Sequence, residues 1–293
     1  MDTTDIGWGA FPGLLKLARA DLRPLPYITR YAQEAFGATP TDLVRHPCLT
    51  DPACREEESR NLVERTHACR RFSPLAYSLG DENFLIFGPG ELDVCFSPTC
   101  IADFRQWLRD QYGTVAALNE EWGTTYPSFD EVEPLTLEEA QKTGQVPRWA
   151  DHRMHMEDVF TRMHTFARGI IQREDPGARV GMDGIWYPTS RNGYDWWKLV
   201  RSLDVMNVYW DPACWALVRS FARPGMLTGG WYGGYGGHRD TMINELDQRY
   251  FPWQFLFSHF NSAWFFDVVT SWGPDSGIAA DLSPYPYSTF AAS

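Results

Sequence analysis

The chain has 293 residues, of which 44% are apolar and 15% aromatic, and it carries a formal net charge of −12. This length suits one large α/β barrel or two small domains, and the apolar share is enough for a sizeable core. The negative charge argues against a nucleic-acid partner, because phosphate binding needs clustered Lys and Arg. No apolar run approaches the roughly 18 residues that would span a membrane, so we expect no membrane partner.

The N-terminus and the cysteines bear on the compartment. Residues 1–5 have neither a basic flank nor an apolar run, so no secretory signal is predicted. Six Cys in 293 residues do not make a disulfide scaffold. We therefore expect a cytoplasmic protein, and a homo-oligomer stays open as an alternative to a monomer.

Short apolar runs alternate with longer segments of helical period, which is the pattern of a parallel β/α sheet or barrel. The sequence predicts six strands, at residues 25–29, 75–79, 179–185, 205–210, 226–228 and 263–270, and a strand end at residues 5–11 would add a seventh. A full barrel has eight strands. We therefore predict one TIM-type (β/α) barrel over residues 1–293 that lacks its first strand or its first two. A doubly wound sheet is the weaker alternative, because no Gly-rich phosphate turn follows the first strand.

Helix signals occupy the segments between the strands. Ser97-Pro98 is an N-cap followed by proline at the first helical position, and apolar residues at helical spacing follow as far as Tyr112. A longer helix is predicted over residues 151–173 and is ended by Asp175-Pro176-Gly177. A short helix is predicted near the N-terminus, around Leu14 to Ala18.

The aromatic residues allow two interpretations. Many of the 13 Trp, 13 Tyr and 18 Phe sit beside Gly, Pro, Asp or Asn, in segments with the composition of loops. Sugars present flat C–H faces on which aromatic rings stack, so these rings suit a carbohydrate cleft. A large core also needs aromatic side chains, and composition alone does not separate the two.

The second predicted strand ends in a pair of acids, Asp81-Glu82. Barrel enzymes carry their chemistry at the C-terminal ends of their strands. Here the chain resembles glycoside hydrolase family 42, the β-galactosidase barrels, whose fourth strand ends in Asn-Glu. The likeness continues through Cys95-Phe96-Ser97-Pro98-Thr99-Cys100 and Leu118-Asn119-Glu120-Glu121-Trp122-Gly123-Thr124, and it covers about residues 25–270.

The resemblance implies an O-glycosyl hydrolase acting on β-galactosides or related sugars, with Glu82 as its acid/base. Asp81 stands where the family has an Asn that contacts the sugar 2-hydroxyl, and an ionised Asp accepts that hydrogen bond but donates none. Two adjacent acids also raise each other's pKa if their side chains approach. The non-catalytic interpretation of Glu82 is an exposed loop glutamate.

The second carboxylate is harder to place. Retaining glycosidases hold their two carboxyl groups about 5–5.5 Å apart, and the family carries the nucleophile as a Glu on its seventh strand. Residues 226–235 contain no carboxylate. We predict Asp267, on the last strand, as the second catalytic residue, although a structural salt bridge would also explain it. The alternatives are Asp211, Asp240 or Glu245, an inverting base ~6.5–9.5 Å away, or a silent site that binds sugar without cleaving it. A relative acting on another sugar, such as an arabinoside or an algal oligosaccharide, also stays open.

Further side chains near the strand ends suit sugar binding. Acids there can hydrogen-bond hydroxyl groups, and aromatic rings can stack on the sugar or belong to the core. The predicted substrate-binding residues are Asp81, Asp183, Trp186, Tyr209, Trp210, Asp211, Trp231, Tyr232 and Trp264.

Some members of the resembled family hold a structural zinc with four Cys, three of them in Cys-x-Cys-x-x-Cys. Here Cys95 and Cys100 match the outer two, Ser97 replaces the middle one, and Cys48 or Cys54 is the upstream candidate. Structural zinc takes four N or S ligands. We therefore expect no metal and no cofactor, with the Cys48 and Cys54 sulfurs too far from the loop to be ligands. Zinc bound by Cys95, Cys100 and Cys48 or Cys54 remains the alternative.

Overall fold

The computed structural model describes residues 11–19, 21–31, 42–86, 93–185, 193–209, 211–233 and 245–266. Five strands are formed within these ranges: β1 (Tyr77–Asp81), β2 (Val180–Ile185), β3 (Val205–Val208), β4 (Leu227–Gly233) and β5 (Ser262–Phe266). The α-helices in the same ranges are α1 (Phe11–Arg19), α2 (Pro52–Arg70), α3 (Pro98–Tyr112), α4 (Val115–Trp122), α5 (Leu137–Thr143), α6 (Val146–Glu174), α7 (Trp196–Ser202), α8 (Pro212–Phe221) and α9 (Glu245–Phe257).

The five strands lie side by side in chain order, and each neighbouring pair is parallel. A doubly wound sheet reverses its strand order at a switch point. A (β/α) barrel does not, because each strand is followed by a helix that returns the chain to the next position. The predicted fold class, a TIM-type (β/α) barrel that is incomplete at its start, is therefore confirmed, and the doubly wound alternative is wrong.

The first predicted strand, residues 25–29, is reduced to one parallel bridge between Tyr27 and Ser78. The segment does lie beside β1, since the carbonyl of Pro26 accepts a hydrogen bond of 2.9 Å from the backbone N–H of Ser78. Pro24 and Pro26 have no N–H to return such bonds, so the ladder stays short. The predicted strand is correct in position but not in length.

The fourth strand of the sheet is longer than its predicted bounds, 226–228. It runs through the glycines to Gly233. Gly229 is needed for packing, since a Cβ there would lie 2.5 Å from Nε1 of Trp264. Glycine here permits the close approach of β5 and does not end the strand.

The longest helix, α6, supplies much of the core between the sheet and α2. Its residues Met156, Val159, Phe160 and Met163 are buried, as their helical spacing predicts. The helix begins five residues before the predicted start, at Val146, and ends at Glu174. Its Pro147 is in the first turn, where a missing N–H costs no hydrogen bond.

The motif that includes Trp122 and Gly123 has a structural role. Nε1 of Trp122 donates a 2.9 Å hydrogen bond to Oδ2 of Asp151 on α6, which also accepts one of 2.6 Å from the hydroxyl of Tyr112. Gly123 caps α4 in the left-handed conformation. The motif therefore ties α3 and α4 to α6, away from the strand ends.

Of the helices that the structure describes, none combines the length and the apolar character needed to cross a membrane.

Candidate active site

Glu82 is the first residue after β1 and has a φ of 52°, a left-handed conformation that is uncommon for a residue with a side chain. Its Oε1 accepts a 2.9 Å hydrogen bond from the hydroxyl of Tyr209, and its Oε2 lies 3.3 Å from the guanidinium of Arg30. The side chain is 20% exposed. The carboxylate is therefore oriented by two groups and still open to the solvent side.

The turn that carries Glu82 is anchored by the buried amide of Asn83. Its Oδ1 accepts a 2.9 Å hydrogen bond from the backbone of Tyr31, and its Nδ2 lies 3.1 Å from Nε2 of His164. Nδ1 of His164 is 2.8 Å from the carbonyl of Phe160, so Nδ1 carries the ring proton and Nε2 accepts. Burial lowers the pKa of His164 to about 4, which keeps the ring neutral and this bond intact at neutral pH.

Asp81 lies beside Glu82, as the pair of acids predicts. The Tyr209 hydroxyl is 3.2 Å from Oδ1 of Asp81, so one hydroxyl lies within hydrogen-bond distance of both carboxylates. Burial, and then the charge of Glu82, raise the pKa of Asp81 to about 6. The Asp81 carboxyl fits only because Gly184 on β2, with φ +60°, has no side chain: a Cβ there would be 1.7 Å from Oδ1.

Asp183 lies deeper, on β2, and is only 1% exposed. Its Oδ2 accepts a 2.5 Å hydrogen bond from the hydroxyl of Ser78 on β1. Burial raises the pKa of Asp183 to about 7; the Ser78 hydrogen bond acts against this shift and the charge of Asp81 adds to it. The carboxyl of Asp183 therefore lies beneath the strand ends and exchanges its proton near neutral pH.

The aromatic candidates of β4 and β5 separate onto two faces. The rings of Trp231 and Trp264 have centroids 5.8 Å apart at an interplanar angle of 57°. Tyr232 points the other way, toward α9, with its ring centroid 6.2 Å from that of Phe255. Successive strand residues alternate between faces, so the structure brings Trp231 and Trp264 together and separates Tyr232 from them.

Asp211 is the N-cap of α8, and its Oδ1 accepts a 2.8 Å hydrogen bond from the backbone of Ala213. One of its oxygens is thus engaged at the helix end. As predicted, the described residues of β4 contain no carboxylate. The remaining candidates lie outside the described residues; they are Trp186, Trp210, Asp240, Asp267 and the side chain of Glu245.

Three residues that orient the Glu82 turn are absent from the predicted set: Arg30, Asn83 and His164. Arg30 directly follows the segment 25–29, so its position after a predicted strand was a usable signal. Asn83 is adjacent to the acids but carries no signal of its anchoring role. His164 lies inside α6, and only packing brings it to the turn.

Three cysteine thiols converge next to the start of α3. Sγ of Cys48 lies 3.7 Å from Sγ of Cys100 and 3.9 Å from Sγ of Cys95, and the three sulfurs are all within 4.8 Å of one another. The expectation that Cys48 lies away from this loop was therefore wrong. Within the described ranges, Cys54 is not part of the group.

The donor set fits zinc only in part. Zn–S bonds of about 2.3 Å in tetrahedral geometry separate two sulfurs by about 3.8 Å, which matches the spacing of the thiols. The fourth position of a closed site is taken by Ser97, whose Oγ is 3.2 Å from Sγ of Cys48. That oxygen caps α3 by accepting a 3.1 Å hydrogen bond from the backbone of Cys100. Three thiolates fit, and a four-ligand structural site does not.

A parallel barrel wall with paired carboxylates at the ends of its strands is the architecture of many barrel glycosidases. The model of glycoside hydrolase family 42, described as Beta-galactosidase, matches residues 88–220 of this chain. The resemblance to family 42 is therefore confirmed.

Individual curated relatives agree with the family match. The curated β-galactosidase of Thermus thermophilus is 39% identical over 174 residues, which cover 57% of this chain and 25% of that protein. The β-galactosidase Bga of Halorubrum lacusprofundi is 30% identical over 173 residues, covering 57% of this chain and 23% of the relative. These matches thus span about a quarter of the length of the curated relatives.

A solved structure supports the fold. The crystal structure of the β-galactosidase from the psychrophilic Marinomonas ef1 superposes with a TM-score of 0.69 at 16% sequence identity, covering 98% of this chain and 53% of that one. At this identity the likeness establishes the barrel fold alone.

Proposed function

We propose that the chain is the catalytic part of a glycoside hydrolase that cleaves O-glycosidic bonds of β-galactosides or related sugars, with Glu82 as the acid/base. The observation that carries the proposal is the carboxylate of Glu82 at the C-terminal end of β1, held by Tyr209 and Arg30. Its position matches the acid/base of the resembled family. The β-galactosidase relatives support the substrate class.

The proposed chemistry uses Glu82 twice. The protonated carboxyl first gives its proton to the departing glycosidic oxygen while the second carboxylate bonds to the anomeric carbon. The Glu82 carboxylate then takes a proton from the water that displaces the second carboxylate. Tyr209 and Arg30 hold the two carboxylate oxygens so that the group faces the substrate. Asp81, next to it, binds a sugar hydroxyl, and Asp183 lies at the paired position of β2.

The substrate would lie between the acids and the aromatic residues of the opposite wall. Trp231 and Trp264 form a pair on one face, which suits stacking against a sugar ring. We keep Asp267 as the proposed second carboxylate, because the described residues of β4 offer none. Trp186 and Trp210 remain proposed contacts. The alternative function is a catalytically silent carbohydrate-binding protein, which the missing β4 carboxylate favours.

A panel of activated aryl glycosides tests the proposed function. We expect the purified chain to release the aryl group from the β-galactoside, measured as initial rate against enzyme concentration, and to spare α-linked isomers. Binding of galactose by calorimetry without hydrolysis of any member of the panel would support the silent alternative. If the chain neither binds nor hydrolyses any sugar, both functions are wrong.

The raised pKa of Asp81 predicts a pH dependence. Below about 6 the carboxyl is protonated and can donate a hydrogen bond to a sugar hydroxyl; above it the group is ionised and cannot. We expect kcat/KM to fall toward tenfold per pH unit as the pH rises above this value, since the protonated fraction falls at that rate. Asp81→Asn, which donates at every pH, should remove this limb. An unchanged pH profile in the variant would contradict a role for the Asp81 proton.

A further inference from the structure

We propose that a cleft between three helices on the outer side of the barrel is a second carbohydrate-binding site, which takes a short neutral oligosaccharide. This outer cleft is lined by residues within 103–111 of α3, 158–162 of α6 and 197–202 of α7, and its volume is about 530 Å³. Sites for small molecules usually measure roughly 300–1,000 Å³. None of the lining residues belongs to the candidate active site, so the proposal does not depend on the proposed glycosidase activity.

Trp197 on α7 offers the flat apolar surface that a sugar ring needs. It is 54% exposed, a large share for a tryptophan. The guanidinium of Arg201, on the next turn of the helix, lies 5.1 Å from the centroid of the indole ring. This cation–π contact holds the ring in place. Much of the indole still meets water, and the C–H face of a sugar that covered it would remove apolar surface from water.

The outer cleft is preformed by hydrogen bonds that cross between its three helices. Nε1 of Trp107 on α3 donates a 2.6 Å hydrogen bond to Oδ2 of Asp158 on α6. The ammonium of Lys198 on α7 donates one of 2.6 Å to Oδ1 of the same carboxylate. Both oxygens of Asp158 therefore help to fix the spacing of α3, α6 and α7. A ligand that enters such a site requires little ordering of the protein, which favours binding.

The charges of the outer cleft favour a neutral ligand over an anion. The guanidinium of Arg162 is paired with the carboxylate of Asp103. The ammonium of Lys198 is paired with Asp158 and, at 3.1 Å, with Asp195. The lining residues carry three carboxylates and three cations in all, so their formal charges cancel. A phosphate or carboxylate ligand is bound best by cations that are not already paired, whereas a wholly apolar ligand would bury these ions at a cost in free energy.

Three further lining residues can bind hydroxyl groups. Asp110 accepts a 2.9 Å hydrogen bond from the side chain of Gln106, and the adjacent Gln111 is exposed. Thr161 is 8% exposed, and its hydroxyl has no hydrogen-bond partner within the part of the chain that the structure describes. An unpaired buried hydroxyl costs free energy, which a water or sugar hydroxyl beside it would recover. A carboxylate, a carboxamide and a hydroxyl beside an aromatic ring thus favour a neutral sugar.

Hydrogen exchange followed by mass spectrometry locates the bound sugar. The unmodified chain is mixed in turn with thio-linked β-1,4-galactotriose, cellotriose and maltotriose. We expect at least one of these neutral oligosaccharides to slow amide exchange in peptides from α3 and α7. Protection of the turn after β1 reports separately on the candidate active site, so failure of the proposed function and failure of the outer cleft are distinguishable. If none of the three sugars protects α3 and α7, the proposal is wrong.

Truncation of the exposed ring tests the stacking contact. With the sugar that protects α3, Trp197→Ala should lower the affinity by at least ~tenfold, the loss expected when a central aromatic contact is removed. The affinity is read from the concentration dependence of the protection of α3, which leaves the substituted helix out of the measurement. Trp253→Ala is the matched control, because Trp253 is 60% exposed on α9, outside the outer cleft, and it should leave the affinity unchanged.

Two further results would overturn the proposal. The first is an equal affinity of the unmodified and Trp197→Ala proteins for the protecting sugar. The second is protection of α3 and α7 that appears without sugar and grows with protein concentration, since the cleft would then be an interface between two copies of this chain.

Discussion

Replacement of Glu82 by Gln should lower the turnover of an unactivated galactoside by at least ~100-fold. Gln has the shape of Glu but no proton for the leaving oxygen, and general acid catalysis contributes typically 10²–10⁴-fold. An activated aryl galactoside, whose leaving group needs little protonation, should lose far less in the glycosylation step. The measurement is kcat/KM on both substrates.

The difference between the two substrates identifies the role of Glu82. Loss of a nucleophile would impair both, and we expect that pattern for Asp267→Asn. Glu64→Gln is a matched control, since Glu64 is exposed on α2, outside the site, and it should change neither rate. Intact turnover of the unactivated galactoside by the Glu82→Gln protein would show that the acid/base assignment is wrong, whatever the fold.

Replacement of Gly184 by Ala should damage the site without removing any functional group. The new Cβ would lie 1.7 Å from Oδ1 of Asp81, and the φ of +60° is unfavourable for alanine. The backbone of Glu82 is also close, with its nitrogen 3.1 Å from the new Cβ. Displacement of these two residues by about 1 Å can cost 10²-fold in rate, so we expect a fall in kcat/KM of that order together with a lower melting temperature.

Gly169→Ala is the control for the same substitution. Gly169 lies inside α6, and a Cβ there would have no neighbour within 4 Å. Alanine is favoured over glycine inside a helix by about 0.5–1 kcal/mol, so this variant should be slightly more stable and equally active. If Gly184→Ala behaves like Gly169→Ala in both rate and melting temperature, the close packing of Asp81 on Gly184 is not important for the site.

Much of the fold could be predicted because its signals are local. The strand positions follow from short apolar runs, and the ends of α3 and α6 follow from Ser97-Pro98 and from Asp175-Pro176-Gly177. Errors occurred where a local signal conflicted with packing. The strand predicted at residues 226–228 stops before the glycines, although Gly229 and Gly230 lie within β4 and leave room for Trp264 and Phe255.

The candidate site was predictable only in part, because local signals do not show which distant residues pack against it. Asp81 and Glu82 are adjacent in sequence and follow a strand, so their place at the barrel rim could be derived. The Tyr209 hydroxyl that bridges them comes from a residue 127 positions from Glu82. His164 reaches the turn only through the packing of α6.

The sequence by itself determined the order of the parallel barrel wall and the strand-end acids, since periodicity, caps and strand-end position are properties of neighbouring residues. The tertiary structure decided which distant groups meet. It placed Cys48 against Cys95 and Cys100, separated Tyr232 from Trp231 and Trp264, and buried Asp183 deeply enough to raise its pKa to about 7. The physical reason is that such contacts and pKa shifts depend on the summed packing of several elements, which neighbouring residues do not encode.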